Sequence, residues 1–140
     1  MRIYKTKNYD EMSRKAANII SAQMILKPES VLGLATGSSP IGTYKQLINW
    51  YKKGDLDFSQ IHSINLDEYK GLDASNSESY AYFMRHNLFD HVNIKPENTY
   101  IPNGMEEDVD KECTRYIITK SGGFGQETLL IDLTARIAEN

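Results

Sequence analysis

The stretch Val31-Leu32-Gly33-Leu34-Ala35 constrains this chain more than any other. It is a compact apolar run, the mark of a strand buried on both faces. It leads directly into Thr36-Gly37-Ser38-Ser39-Pro40-Ile41-Gly42, after which residues from about Thr43 to Lys53 read as a helix. Tyr44, Leu47, Ile48 and Tyr51 put an apolar stripe on that helix. Proline is well placed at its start, where the missing N–H would have had no partner anyway. Gly54-Asp55 closes it, and a second apolar run, Ile61-His62-Ser63-Ile64-Asn65-Leu66, leads into Asp67-Glu68-Tyr69. Strand, loop, helix, strand is the grammar of a βαβ unit, and it requires a parallel sheet with a right-handed crossover.

The flanking segments extend this pattern. Ile3-Tyr4 is a candidate short edge strand. Asn8 reads as an N-cap with Glu11 in the capping-box position. Met12, Ala16, Ile19, Ile20 and Met24 then predict an amphipathic helix over 9–25, ended by Lys27-Pro28-Glu29. Beyond Gly71, Ser75-Asn76-Ser77-Glu78 offers caps for a helix carrying Tyr80, Phe83, Met84, Asn87 and Leu88. Residues 93–104, with Pro96 and Pro102, read as irregular. A helix is expected from Glu106 to about Thr119 with Val109, Cys113 and Tyr116 on one side. Ser121-Gly122-Gly123-Phe124-Gly125 reads as a breaker and Leu129-Leu130-Ile131-Asp132-Leu133 as a strand. The fold class is therefore α/β, a doubly wound, Rossmann-like parallel sheet.

With 140 residues and no linker or repeat, one domain is expected. Nineteen acidic residues outnumber sixteen basic ones, which gives no electrostatic reason to expect nucleic acid. No apolar run approaches the roughly 18 residues of a membrane span, and the start lacks a signal-peptide core. A single cysteine, Cys113, cannot form an intrachain disulfide and suits the reducing cytoplasm. Placed on an apolar helical face, it reads as a packing thiol.

Two stretches carry chemistry. Thr36-Gly37-Ser38-Ser39 joins a strand to a helix start, leaving backbone N–H groups, hydroxyls and the helix dipole to hold an anion. It is neither a Walker A loop nor a GxGxxG fingerprint, and a simple capping turn is the alternative. Asp67 stands at the carboxyl end of the next strand, on the rim where open α/β sheets bind ligands. Partial burial there would suit it to general-base work. The alternative is that Asp67 or Glu68 caps the following turn or pairs with a lysine. His62, His86 and His91 form no metal-ligand pattern, so neither a metal nor a cofactor is expected.

Taken together, Leu34-Ala35-Thr36-Gly37-Ser38-Ser39-Pro40-Ile41-Gly42 and Asn65-Leu66-Asp67-Glu68-Tyr69-Lys70-Gly71-Leu72 closely resemble the glucosamine-6-phosphate deaminase family. The resemblance continues through Ser79-Tyr80-Ala81-Tyr82-Phe83-Met84, Ile94-Lys95-Pro96-Glu97-Asn98 and Ile101-Pro102-Asn103-Gly104, covering about residues 1–116. The related 6-phosphogluconolactonases usually carry an arginine where this chain has Tyr69. The resemblance implies conversion of glucosamine 6-phosphate and water to fructose 6-phosphate and ammonium. It makes Asp67 the base that takes the C2 proton and returns it to C1. It assigns Thr36, Gly37, Ser38 and Ser39 to the phosphate and leaves Glu68 and Tyr69 to shape the pocket.

Residues 117–140 depart from that resemblance. The family's next segment reads approximately Gly-x-Gly-x-x-Gly-His-x-x-Phe-Asn-Glu-Pro and supplies the histidine that opens the sugar ring. Here the stretch is Phe124-Gly125-Gln126-Glu127-Thr128-Leu129-Leu130-Ile131-Asp132-Leu133-Thr134-Ala135-Arg136, and no histidine follows His91. Codons for Leu133-Thr134-Ala135-Arg136-Ile137 read two nucleotides out of frame permit an Asn-Gly-x-His string, so a frameshift is one account. The basic residues that complete the family's phosphate clamp are also missing. Little or no deaminase activity is expected of the chain as written. A non-catalytic sugar-phosphate-binding module and a lactonase-like hydrolase are the competing readings. The resemblance thus implies a sheet incomplete at its C-terminal side, and without its later strands it would expose an edge and an apolar face, which favours self-association, a homo-oligomer included.

Overall fold

The computed structural model describes residues 3–123 and Leu129–Leu130. Helix α1 spans Tyr9–Leu26, strand β1 Val31–Leu34, α2 Ile41–Lys52, β2 His62–Asn65 and α3 Tyr80–Asn87. Strand β3 covers Thr99–Tyr100, α4 Val109–Gly123 and β4 Leu129–Leu130, with single 3-10 turns at Phe89–His91 and Pro96–Asn98. The strands form one sheet in the order β3-β2-β1-β4, and all three pairings are parallel. The chain winds outward from β1 through β2 to β3, then returns to the opposite side of β1. Strand order thus reverses at β1, and the carboxyl end of such a switch point is where open α/β sheets bind ligands.

The start of α1 follows from its cap. The Asn8 side chain accepts from the Glu11 N–H at 2.9 Å, while the Glu11 carboxylate reaches back to the Lys7 N–H at 2.8 Å. The reciprocal arm of the capping box thus lands one residue earlier than the motif prescribes. Ser13, Ala16, Ala17, Ile20 and Met24 form the buried stripe of α1. Ile19 is 39% exposed, against expectation, because the stripe turns through Ala17 instead.

This stripe packs on α2, and the core joins Ala17, Ile20 and Met24 to Leu32, Leu34, Tyr44, Leu47, Phe58, Ile61, Met84 and Leu88. Burying side chains of this size contributes about 1.5–3 kcal/mol each. In β1 burial alternates, with Leu32 and Leu34 buried and Val31 and Gly33 half-buried, so the strand is not equally covered on its two faces.

Several expectations are corrected. Ile3 and Tyr4 form no strand and are exposed. The cap of α3 is Ser79, whose hydroxyl accepts from the Ala81 and Tyr82 N–H groups; Ser75 and Asn76 serve turns that precede it. Residues 93–104 hold a strand after all. β3 is two residues long and lies between Pro96 and Pro102, too short for any periodicity to show. Helix α4 starts at Val109, where the Asp108 carboxylate accepts from the Lys111 N–H at 3.0 Å, and continues through the expected breaker to Gly123. Its buried side carries Glu112 and Tyr116, whereas Val109 and Cys113 are exposed. Cys113 is therefore not a packing thiol. β4 falls within the expected strand at 129–133, of which residues 131–133, like Phe124 to Thr128, lie outside the described residues.

Candidate active site

The loop after β1 and the loop after β2 emerge side by side on the carboxyl rim, because β1 and β2 pair in register from Val31↔His62 to Leu34↔Asn65. Buried Asn65 locks this register at its end by donating from Nδ2 to the Leu34 carbonyl at 2.9 Å. Tyr44, fully buried in α2, donates to the Ala35 carbonyl at 2.6 Å. Burial pushes the Tyr44 phenol well above its usual range, so it stays a donor.

The first loop turns at Gly37, whose φ of +88° lies in the left-handed region. A Cβ there would meet nothing within 4 Å, so glycine serves the backbone conformation and not a steric need of the protein itself. Gly37 and Ser38 are exposed, and Thr36 and Ser39 are half-buried. Pro40 occupies the cap position of α2 and offers no side-chain acceptor. A phenol from another helix compensates. The Tyr9 hydroxyl donates to the Ser38 carbonyl at 3.0 Å and accepts from the Gly42 N–H at 2.8 Å. Among the described residues, the N–H groups of Gly37, Ser38 and Ser39 have no hydrogen-bond partner. Three N–H groups and three hydroxyls at a helix start can receive an anion.

In the second loop, Asp67 is exposed. The partial burial that would tune it as a base is not provided by the described residues. Glu68 has a different task. Its carboxylate accepts from the Ser79 hydroxyl at 2.8 Å and from the N–H groups of Tyr80 and Ala81 at 2.9 Å each, so it caps α3. Burial alone would raise its pKa, but these bonds and one from the Tyr69 N–H outweigh it and hold the carboxyl below its usual range. Of the two alternatives for this acidic pair, capping therefore applies to Glu68, while Asp67 is left facing solvent.

Tyr80 brings the two loops together. Its hydroxyl donates to that of Tyr69 at 3.1 Å, with the Thr36 side chain and the Asp67 charge close enough to act on it. The bond with Tyr69, burial and the Asp67 charge raise the Tyr80 pKa. In the sequence Tyr80 stands out only as the first of the spaced residues of a helix. Its signal was its place one residue after the cap that Glu68 holds. Tyr9 was missed as well, and nothing in the spacing of α1 marks it. Among the described residues no group of His, Cys, Asp and Glu could hold a metal, and no helix is long and apolar enough to cross a membrane.

The chain is similar along its whole length to curated glucosamine-6-phosphate deaminases. It is 56% identical to that of Lachnoclostridium phytofermentans and 53% identical to that of Clostridioides difficile. These alignments include residues 117–140, beyond the 1–116 of the motif resemblance. The chain spans 60% and 57% of the two relatives' length. A solved monomeric glucosamine-6-phosphate deaminase superposes with a TM-score of 0.83 at 41% identity, over 88% of this chain and 52% of that one. The 6-phosphogluconolactonase of Thermotoga maritima superposes at a TM-score of 0.72 with 16% identity, a likeness of fold alone. No protein-family model matches the chain.

Proposed function

We propose that this chain is part of a glucosamine-6-phosphate deaminase and binds the phosphorylated amino sugar at its carboxyl rim. The observation that carries the reading is the joining of the Thr36 loop to the Asp67 loop by Tyr80, in a chain similar throughout to deaminases. The Thr36, Gly37, Ser38 and Ser39 loop would take the phosphate on its unpartnered N–H groups. Asp67, exposed on the same rim, would take the C2 proton of the open-chain sugar and return it to C1. Nitrogen then leaves C2 as ammonium after water adds, giving fructose 6-phosphate. Glu68 and Tyr69 would shape the pocket, Glu68 by fixing α3 and Tyr69 through Tyr80. The cytoplasm, where such phosphosugars and a free Cys113 are both at home, is the proposed compartment.

Catalysis by the chain as written should be slight. Asp67 can act only on an open-chain sugar, and residues 92–140 contain no histidine to open the ring. General acid–base help of that kind is typically worth about 10²–10⁴-fold. The experiment is ammonium release from glucosamine 6-phosphate by the purified chain and by Asp67→Asn. A rate near background for both is expected. Brisk release that survives Asp67→Asn would overturn the base assignment. A second reading, a sensor that binds phosphosugars without turning them over, is favoured by that same absence of histidine. It is distinguished by restoring an in-frame histidine segment, which revives turnover only if the deaminase reading holds.

A further inference from the structure

We infer that Gly104 is a positioning residue that sets where the Asp67 loop stands. Gly104 follows β3 and lies against the loop after β2. Its carbonyl accepts from the Gly71 N–H at 2.7 Å. A Cβ built on it would fall 2.3 Å from the Tyr69 carbonyl oxygen, 3.0 Å from that of Leu72 and 3.1 Å from Glu68 Cγ. Gly104 is not among the glycines with positive φ, so its backbone would accept any residue, and the contact alone demands glycine. The obstructing atoms at Tyr69 and Leu72 are backbone and cannot swing aside as a side chain would.

The other side of Gly104 is held firmly. The Asn103 N–H donates to Glu112 Oε1 at 2.7 Å, and Arg115 grips the buried Glu112 through Nη2 and Nε at 2.6 and 2.7 Å. Lys70 Nζ reaches the Glu107 carbonyl at 3.2 Å. Glu68 is pinned to α3 by its three partners there. An added methyl group must therefore displace Tyr69 to Leu72, and Asp67 stands just before them. That this displacement touches a reacting carboxylate rests on the functional reading above; the contact itself does not.

The test is Gly104→Ala in the full 140-residue chain, followed by amide NMR. Tyr69, Lys70, Gly71 and Leu72 should shift in the free protein while Gly37, Ser38 and Ser39 stay in place. Inorganic phosphate should then bind the first loop as before, whereas glucosamine 6-phosphate should lose its extra affinity over phosphate. Unmoved amides at 69–72 would overturn the inference, as would equal losses for phosphate and sugar. Should the parent chain ignore glucosamine 6-phosphate altogether, the functional reading fails, yet the shifts at 69–72 still decide the role of Gly104. If Gly104→Ala does not fold, Glu112→Gln decides. Shifts confined to Asn103, Gly104 and the 67–72 loop support the inference, and their absence at 67–72 contradicts it.

Discussion

The hydroxyls of Tyr69 and Tyr80 lie 3.1 Å apart, with ring centroids separated by 4.8 Å and planes tilted by 37°. Since the Thr36 side chain also lies close enough to act on the Tyr80 hydroxyl, one phenol stands between the anion loop and the loop carrying Asp67. The bond between the two tyrosines raises the Tyr80 pKa, so the Tyr80 phenol stays protonated at neutral pH and keeps donating to the Tyr69 hydroxyl.

Tyr80→Phe keeps the ring contact and removes only this hydroxyl. A neutral hydrogen bond is worth about 0.5–1.5 kcal/mol, and partial exposure places this one towards the lower end. The thermal midpoint should scarcely move, while the Thr36 and Tyr69 amides shift and phosphosugar binding weakens. Unchanged shifts at both residues would show that the two loops are not coupled through Tyr80.

Glu68→Gln should change how stability depends on pH. The folded carboxyl of Glu68 lies below its unfolded value of 4.5, because its hydrogen bonds outweigh the opposing effect of burial. Its stabilisation is therefore complete above about pH 4.5 and is lost as pH falls through the lower folded value. Glu112, held low chiefly by its bonds from Arg115, acts in the same direction. Denaturant midpoints measured from pH 7 to pH 3 should fall less steeply in Glu68→Gln than in the parent. Parallel curves would remove Glu68 from the α3 cap.

Much of the fold is legible in the sequence where apolar periodicity is strong. The runs around Leu32 and Ile64 are strands, and Tyr44 and Leu47 face the core as their spacing requires. What escaped depends on contacts distant in sequence. β3 exists only because Ser63 and Ile64 pair with Thr99 and Tyr100. The buried face of α4 is set by Tyr116 reaching the carbonyls of Asn65 and Tyr100 at 2.5 and 2.9 Å, which turns Cys113 outward. At the candidate site, the placement of Gly37 and Asp67 on the carboxyl rim was legible from their positions at strand ends. Tyr9 and Gly104 were not, because each acts on a partner more than 25 residues away.

Gly37→Ala separates backbone need from steric need. Space is open around the missing Cβ, so only the left-handed conformation opposes alanine, at about 1–2 kcal/mol. A lower denaturant midpoint of that size is expected, or a rearranged loop with weakened phosphate binding. A neutral substitution that leaves phosphate binding intact would show that the loop adopts another conformation.

Cys113 provides a simple check on the register of α4. Because it is exposed, it should react with a chromogenic disulfide reagent in the native chain about as fast as in urea. Reaction only on unfolding would restore Cys113 to the core and rotate the helix.

The most direct measurement is a titration of the ¹⁵N-labelled chain with glucosamine 6-phosphate, with glucosamine and inorganic phosphate as controls. One site made of two loops requires Gly37, Ser38 and Ser39 to shift together with Asp67 and Tyr69, saturating at a single dissociation constant. Phosphate alone should reach only the first group, and glucosamine alone should reach neither. Shifts confined to residues outside both loops, or an equal response to unphosphorylated glucosamine, would contradict the assignment of this rim as a phosphosugar site.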